Sequence, residues 1–395
     1  MAHRTADVVI IGGSVVGSSI AWHLRQMGVP RVVVLERDRQ YQRASAFLAM
    51  GGIRQQFCTS VTVKMVQHSV RFWQRFDDEM GTPEARPRAW FRQRGYLFLG
   101  TEANAAALTR RFERQREAGA EVSWLSRADI RTLIPEAWLD DVEFGVYGPH
   151  DGYANPREVL SGMHRAAQHA GTEYVEGTPV ALLRDGTRVT GVQLAGGDTI
   201  AARVVVNAAG AWGGAIARMA DLDVPITPLR QMLFRATLPT HWPSRFPMVI
   251  DPSGVHWRHD DPLTEGDPDR IVVACTKRDD EPGERLDPDD SRWQRDFLPP
   301  LVRRMPEFRD LTAVHGWAGL YEMTPDHNPA IGEHPDRPGL IFACGFSGHG
   351  LMMSPATGLI VSEMVTRGTS ETFDVGLFAP DRFARGALVH DEATI

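Results

Sequence analysis

Three glycine-rich segments, each directly behind an apolar run, are the residues best suited to chemistry in this 395-residue chain. The first is Gly12-Gly13-Ser14-Val15-Val16-Gly17, behind Val8-Val9-Ile10-Ile11. Gly12, Ser14 and Gly17 take the three glycine positions of a G-x-G-x-x-G turn. In such a turn the first glycine allows the tight bend, the second lets backbone approach a pyrophosphate, and the third lets helix and strand pack closely, while the helix N-terminus holds the negative charge. Ser14 departs from that pattern: its Cβ is expected to crowd a phosphate, although its hydroxyl can donate to one. Glu36 follows Gly17 at the distance where an acid accepts hydrogen bonds from ribose hydroxyls and rejects a 2′-phosphate. These residues predict a dinucleotide site without choosing between a nicotinamide and a flavin.

The second segment, Ala208-Ala209-Gly210-Ala211-Trp212, follows Arg203-Val204-Val205-Val206-Asn207, and the third, Phe346-Ser347-Gly348-His349-Gly350, follows Leu340-Ile341-Phe342-Ala343-Cys344-Gly345. Ser354-Pro355 is then expected to open a helix over 356–366, with Ser as N-cap, Pro in the first turn and Gly368 as the stop. Lysine occurs only at Lys64 and Lys277, arginine supplying the rest of the 43 basic residues. Any step that needs a lysine therefore has two candidates. Lys64, in a helical stretch over 61–76, is expected to be solvated.

Val8–Ile11 is expected to be a strand buried on both faces, followed by a helix over 18–27 and a second strand over 31–36, which makes a βαβ unit. The strand-like Gly95–Leu99 and the alternating Met232–Thr237 are expected to be antiparallel. The Pro- and Asp-rich stretches 259–270 and 279–290 are expected to be solvated turns. The fold class expected is α/β, α+β overall: a doubly wound, Rossmann-like nucleotide domain of residues 1–85, 150–222 and 325–395, with an inserted mixed or antiparallel-sheet substrate domain of 86–149 and 223–324. The length fits two lobes at ~100–200 residues per domain.

A composition 43% hydrophobic and 24% charged, with net charge −7, is that of a globular protein and offers no basic stripe for nucleic acid. The three cysteines, Cys58, Cys275 and Cys344, are too few and too dispersed for a disulfide framework or a zinc cluster, and no metal is expected. Neither a secretory leader nor a membrane span is expected, and the location expected is cytoplasmic. His256, His315 and His327 are expected to be loop or core histidines.

Taken together, Gly12–Gly17, the segment Gly51-Gly52-Ile53-Arg54-Gln55-Gln56-Phe57, Asn207–Trp212, the run from Gly319 through Thr324-Pro325-Asp326 to Gly332, and Phe346–Gly350 resemble the D-amino acid oxidase (DAO) superfamily. The nearest branch is the sarcosine oxidase and dimethylglycine dehydrogenase-like one, and the resemblance runs over nearly the whole chain. It implies extended FAD, with adenine near Glu36 and Arg37 and beside the Val180 backbone, pyrophosphate at Gly12, Gly13, Ser14, Val15, Val16 and Gly17, and the isoalloxazine between the lobes. Ala44, Ser45, Gly51 and Gly52 would wrap the phosphates and ribityl chain. Ala208, Gly210 and Trp212 would border the cofactor, and Gly348, His349, Gly350, Leu351 and Met352 would meet the flavin ring, where a helix N-terminus stabilises the charge of the reduced form.

The activity implied is oxidation of the C–N bond of a secondary or N-methylated amine or amino acid by hydride transfer to flavin N5, giving an imine that hydrolyses. Oxygen or an electron carrier would be the acceptor. Alternatives are a D-amino acid dehydrogenase, a 2-hydroxy acid oxidoreductase, or a flavin-binding assembly scaffold without turnover. The family's cysteine tether matches Gly319, and 41–53 contains no histidine, so non-covalent FAD is expected. Three family carboxylate clamps match Phe57, Met352 and Tyr321, none of them cationic. Arg54, Tyr321 and His349 are candidates to face the substrate, and Lys277 is the candidate oxygen activator. The oligomeric state is left open.

Overall fold

The computed structural model describes residues 3–239, 241–242, 245–260, 268–276 and 280–391. Strand β1 (His3–Ile11), helix α1 (Val15–Gln26) and strand β2 (Val32–Glu36) form the first βαβ unit. Val8 and Ile10 of β1 enter one apolar layer, and Val9 and Ile11 enter the other. This alternation, with apolar residues on both sides, is what a strand covered on two faces requires. Full burial of each such side chain contributes roughly 1.5–3 kcal/mol.

The sheet runs Ala330–His334, Arg337–Cys344, Thr199–Asn207, β1, β2 and Glu173–Glu176. Every pairing along this path is parallel except the edge pair Ala330–His334 with Arg337–Cys344. One face carries α1 and the helices Pro156–His169 and Gly350–Arg367. The other carries the antiparallel pair Pro179–Asp185 and Arg188–Leu194 and the short helix Gly213–Arg218. All three strand-to-glycine transitions leave this sheet from adjacent parallel strands, so their turns converge at its C-terminal edge, where α/β sheets bind ligands.

A second eight-stranded sheet runs Thr312–Met323, Thr227–Thr237, Arg270–Cys275, Val255–Asp260, Met248–Ile250, Tyr96–Gly100, Phe144–Gly148 and Ser123–Ser126. It is mixed: Met248–Ile250 pairs in parallel with Tyr96–Gly100, and the remaining pairs are antiparallel. Gly52–Ile53 forms a small separate ladder with Gly152–Tyr153.

Three local expectations are corrected. Helix α1 begins at Val15 rather than Ser18, because Ser14 already has extended N-cap geometry. The C-terminal helix begins at Gly350, not beyond Ser354-Pro355. Pro355 cannot donate to the carbonyl one turn back, and the Ser354 hydroxyl donates to Leu351 O at 2.9 Å instead, so the proline is accommodated inside the helix. The stretch 280–290 is more than a solvated turn: half-buried Asp280 pairs with Arg230 at 2.6 Å and Arg292 at 3.1 Å. Lys64 is exposed on the helix Ser60–Trp73, as expected. Among the described residues no helix is long and apolar enough to cross a membrane.

Candidate active site

A continuous cavity of about 390 Å³ runs from the turns at the end of the first sheet to the inner face of the second. Gly12 has φ +100, and a Cβ there would lie 2.3 Å from Ala208 O, so the turn admits only glycine. A Cβ on Gly17 would lie 1.9 Å from Gly12 O, which accounts for the third glycine as a packing position. Ser14, Val15 and Val16 line the cavity, and the Ser14 hydroxyl makes no capping bond to its own helix. Gly13 donates its N–H to Glu36 Oε2 at 2.9 Å, and the other Glu36 oxygen accepts from Asp38 N. Burial pushes the Glu36 carboxyl up from its ordinary value, and these backbone donors oppose the shift.

Beside Glu36, the Arg37 guanidinium lies 3.8 Å from the centre of the Trp212 ring. Arg37 Nη2, Trp212 Nε1 and, farther along, Gln231 Nε2 are buried, line the cavity, and have no hydrogen-bond partner among the described residues. An unmet buried donor costs about 1–3 kcal/mol, so three along one wall call for a ligand rich in acceptors. Gly51 and Gly52 have no room for a Cβ, which would meet Ala154 O at 2.1 Å and Tyr96 Oη at 2.0 Å respectively. Ala44, Ser45, Ala208 and Gly210 complete this part of the wall.

At the far end the wall is made by Arg54, Tyr96, Gln231, His256, Tyr321 and the start of the helix Gly350–Arg367. Arg54 is 1% exposed, its Nη2 lies 3.2 Å from His349 Nε2, and its guanidinium sits 4.3 Å from the Phe57 ring centre. Burial lowers its pKa. Asp151, wholly buried, accepts from Gln55 N at 2.8 Å and Gln56 Nε2 at 3.0 Å, which fixes the backbone that carries Arg54. Burial pushes Asp151 up to about 7. Gly348, at φ +95, lies against the Tyr321 ring, so any side chain there would displace it. Glu322, the next residue on that strand, lines the cavity, accepts from Gly345 N at 2.7 Å, and is raised to about 7 by burial. His256 is held neutral, burial lowering its pKa to about 4.

The cavity thus brings together Gly12, Ser14, Val15, Val16, Glu36, Arg37, Arg54, Trp212, Tyr321 and Gly348–Met352 with the wrapping residues named above. Gly13 and Gly17 support the turn from behind. Val180, expected to meet the adenine through its backbone, is 50% exposed and is not among the cavity-lining residues, where its neighbours Gly177, Thr178 and Pro179 form the wall. Lys277 lies outside the described residues, while Thr276 before it lines the cavity. Asp151, Glu322, Gln231 and Tyr96 were missed by sequence reasoning; His256, expected to be a loop or core histidine, lies on the strand Val255–Asp260 and also lines the cavity. Only Glu322 had a local signal, through its place beside Tyr321. Among the described residues no group of three or more His, Cys, Asp or Glu could hold a metal ion.

The family model described as FAD dependent oxidoreductase, DAO, matches residues 7–364. The chain belongs to the DAO family. This FAD-dependent oxidoreductase is 32% identical over 432 residues to FAD-dependent oxidoreductase domain-containing protein 1 of Bos taurus, covering 99% of this chain and 87% of that protein. It is 27% identical to the mitochondrial sarcosine dehydrogenase of Homo sapiens, over 93% of this chain and 40% of that one. Among solved structures, L-proline dehydrogenase from P. horikoshii matches with TM-score 0.87 and 29% identity, covering 98% of this chain and all of that one. Glycine oxidase from Geobacillus kaustophilus matches with TM-score 0.83 and 25% identity, over 96% and 99%. The glycine cradle and the unmet donors of Arg37 and Trp212 in the DAO-family cavity fit FAD.

Proposed function

We propose that this oxidoreductase oxidises the C–N bond of a secondary or N-methylated amine or amino acid, giving an imine that hydrolyses to an amine and a carbonyl compound. Bound FAD supplies the two-electron acceptor for that bond. Non-covalent binding is supported by Gly319, which lines the cavity where the family's tethering thiol would stand. Arg37 and Trp212 would serve the adenosine half, and the Gly12 turn with the N-terminus of α1 the pyrophosphate. Gly348–Met352, at the start of a long helix, would serve the ring.

The observation that carries the proposal is the placement of Arg54 at the end of this cavity, buried, against His349 and the Phe57 ring. A secondary amine must shed its proton before its C–H bond becomes a hydride donor. The fixed positive charge of Arg54 disfavours an ammonium and so favours the free amine, and the neutral His256 beside the same space adds no charge of its own. Tyr96 Oη and Gln231 Nε2 supply polar contacts that orient the substrate, and the apolar Met50, Leu233 and Leu351 exclude water. The relatives named for sarcosine, glycine and L-proline support this chemistry.

The test is anaerobic bleaching of the flavin by a panel of N-methyl amino acids, cyclic secondary amino acids, D-amino acids, 2-hydroxy acids and polyamines. Bleaching by the secondary amines at a rate that rises with pH is expected. Bleaching by hydroxy acids or primary D-amino acids alone would overturn the proposal, and bleaching by none would favour a scaffold.

A further inference from the structure

A second cavity, of about 410 Å³, adjoins the substrate end of the first, and Thr276 lines both. Phe98 stands between them: it lines the second cavity while its ring centre is 6.0 Å from the Arg54 guanidinium. Gly254 of the second cavity is likewise tied to His256 of the first, through His256 Nδ1 and Gly254 O at 3.1 Å.

The charges of the second cavity do not cancel. Asp251 is used up within the protein, accepting from Arg304 Nε at 2.7 Å and from Ser253 N at 2.9 Å. Asn104 accepts from Thr101 N and donates to Leu99 O. Arg111, half-buried on the helix Ala105–Glu117, has no hydrogen-bond or ion-pair partner among the described residues. Its charge is also felt at Arg54, where it opposes protonation. Of the remaining walls, Phe98, Leu99, Leu108, Ile250 and Pro252 are apolar, and Thr276 carries a hydroxyl. A cation with no counter-ion among the described residues, beside the apolar walls of a cavity, is a receptor for a small carboxylate with an apolar body.

We infer that this cavity is an antechamber that binds a small organic carboxylate through Arg111 on its way to the space around Arg54, with Phe98 and Thr276 as the partition. The inference deepens the amine-oxidation proposal by naming an anionic substrate class, and it rests on that proposal for what happens beyond the partition. Arg111 is a positioning residue here, and it supplies an anion-binding group that the three non-cationic clamp positions lack.

The experiment uses the holoprotein and two probes of one shape, benzoate and benzamide, titrated calorimetrically against wild type, Arg111→Gln and Arg111→Lys. Wild type should bind benzoate at least about tenfold more tightly than benzamide, since a charge-assisted contact is worth about that much. Arg111→Gln should lose that preference by weakening benzoate alone, and Arg111→Lys should restore most of it. Wild-type benzoate association should slow with added salt, and that of Arg111→Gln should not. Equal affinity for the two probes in wild type, an unchanged preference in Arg111→Gln, or equal loss of both probes would each overturn the inference. Benzoate selection that depends on Arg111, in a protein whose flavin no amine bleaches, would uphold the antechamber and sink the amine-oxidation proposal instead.

Discussion

Replacing Asp151 with asparagine tests the buried network beneath Arg54 through the pH dependence of stability. The carboxyl ordinarily titrates at 3.8 and is pushed up to about 7 by burial, with its bonds to Gln55 and Gln56 and the charge of Arg54 opposing the shift. The folded state therefore holds the proton more tightly than the unfolded chain. The stability that this confers is full below pH 3.8 and is lost as the pH rises through about 7. About 4 kcal/mol separates the two ends, of which roughly 2–3 kcal/mol falls between about pH 5 and about pH 8. Asp151→Asn cannot titrate, and its one carbonyl oxygen cannot serve both donors as the carboxylate does, which costs about 1–3 kcal/mol at every pH. Relative to wild type, the variant should therefore gain roughly 2–3 kcal/mol on going from about pH 5 to about pH 8. Glu322, raised by the same cause, is present in both proteins and cancels in the difference. Urea unfolding of both holoproteins, followed by far-UV circular dichroism across that range, measures it. A difference that stays constant with pH, or that moves against the variant as pH rises, would refute the assignment of Asp151 as a carboxyl whose titration burial raises toward neutral pH.

Gly12→Ala places a Cβ 2.3 Å from Ala208 O at φ +100, so the turn must move away from the pyrophosphate. FAD affinity, titrated on the apoprotein, should fall at least about a hundredfold, equivalent to about 3 kcal/mol; wild-type affinity would contradict the role given to that turn. Lys277→Met should slow reoxidation of the reduced protein by oxygen by orders of magnitude while leaving anaerobic reduction nearly intact. An unchanged oxidative rate removes Lys277 from that step.

The parts legible in the sequence are those whose cause is local. Gly12 is required by a turn a few residues long, and the alternation of Val8 to Ile11 reports the two layers that cover β1. The start of the C-terminal helix is the instructive failure. Ser354-Pro355 is a sound opening signal, but the turn at Gly348 and His349 starts the helix earlier, and the Ser354 hydroxyl accepts the task of meeting Leu351 O. A strong local signal is thereby absorbed, and the helix N-terminus comes to the cavity instead of lying a turn away.

The groups that sequence reasoning missed share a different physical origin. Gln231 faces the site because it stands opposite Gly319 in the pairing of Thr227–Thr237 with Thr312–Met323, and a one-residue slip would turn it to the other face. Asp151 meets Gln55 across 96 positions of chain, and Arg54 meets His349 across 295. Such meetings are set by how two sheets are joined, and no spacing within a segment records them. The adenosine half of the site is built from consecutive residues and reads directly, whereas the reacting half is built from register and packing. That division explains why the family's carboxylate clamps can be absent from their positions while Arg111, a cation with no counter-ion among the described residues, stands on a helix that no motif singled out.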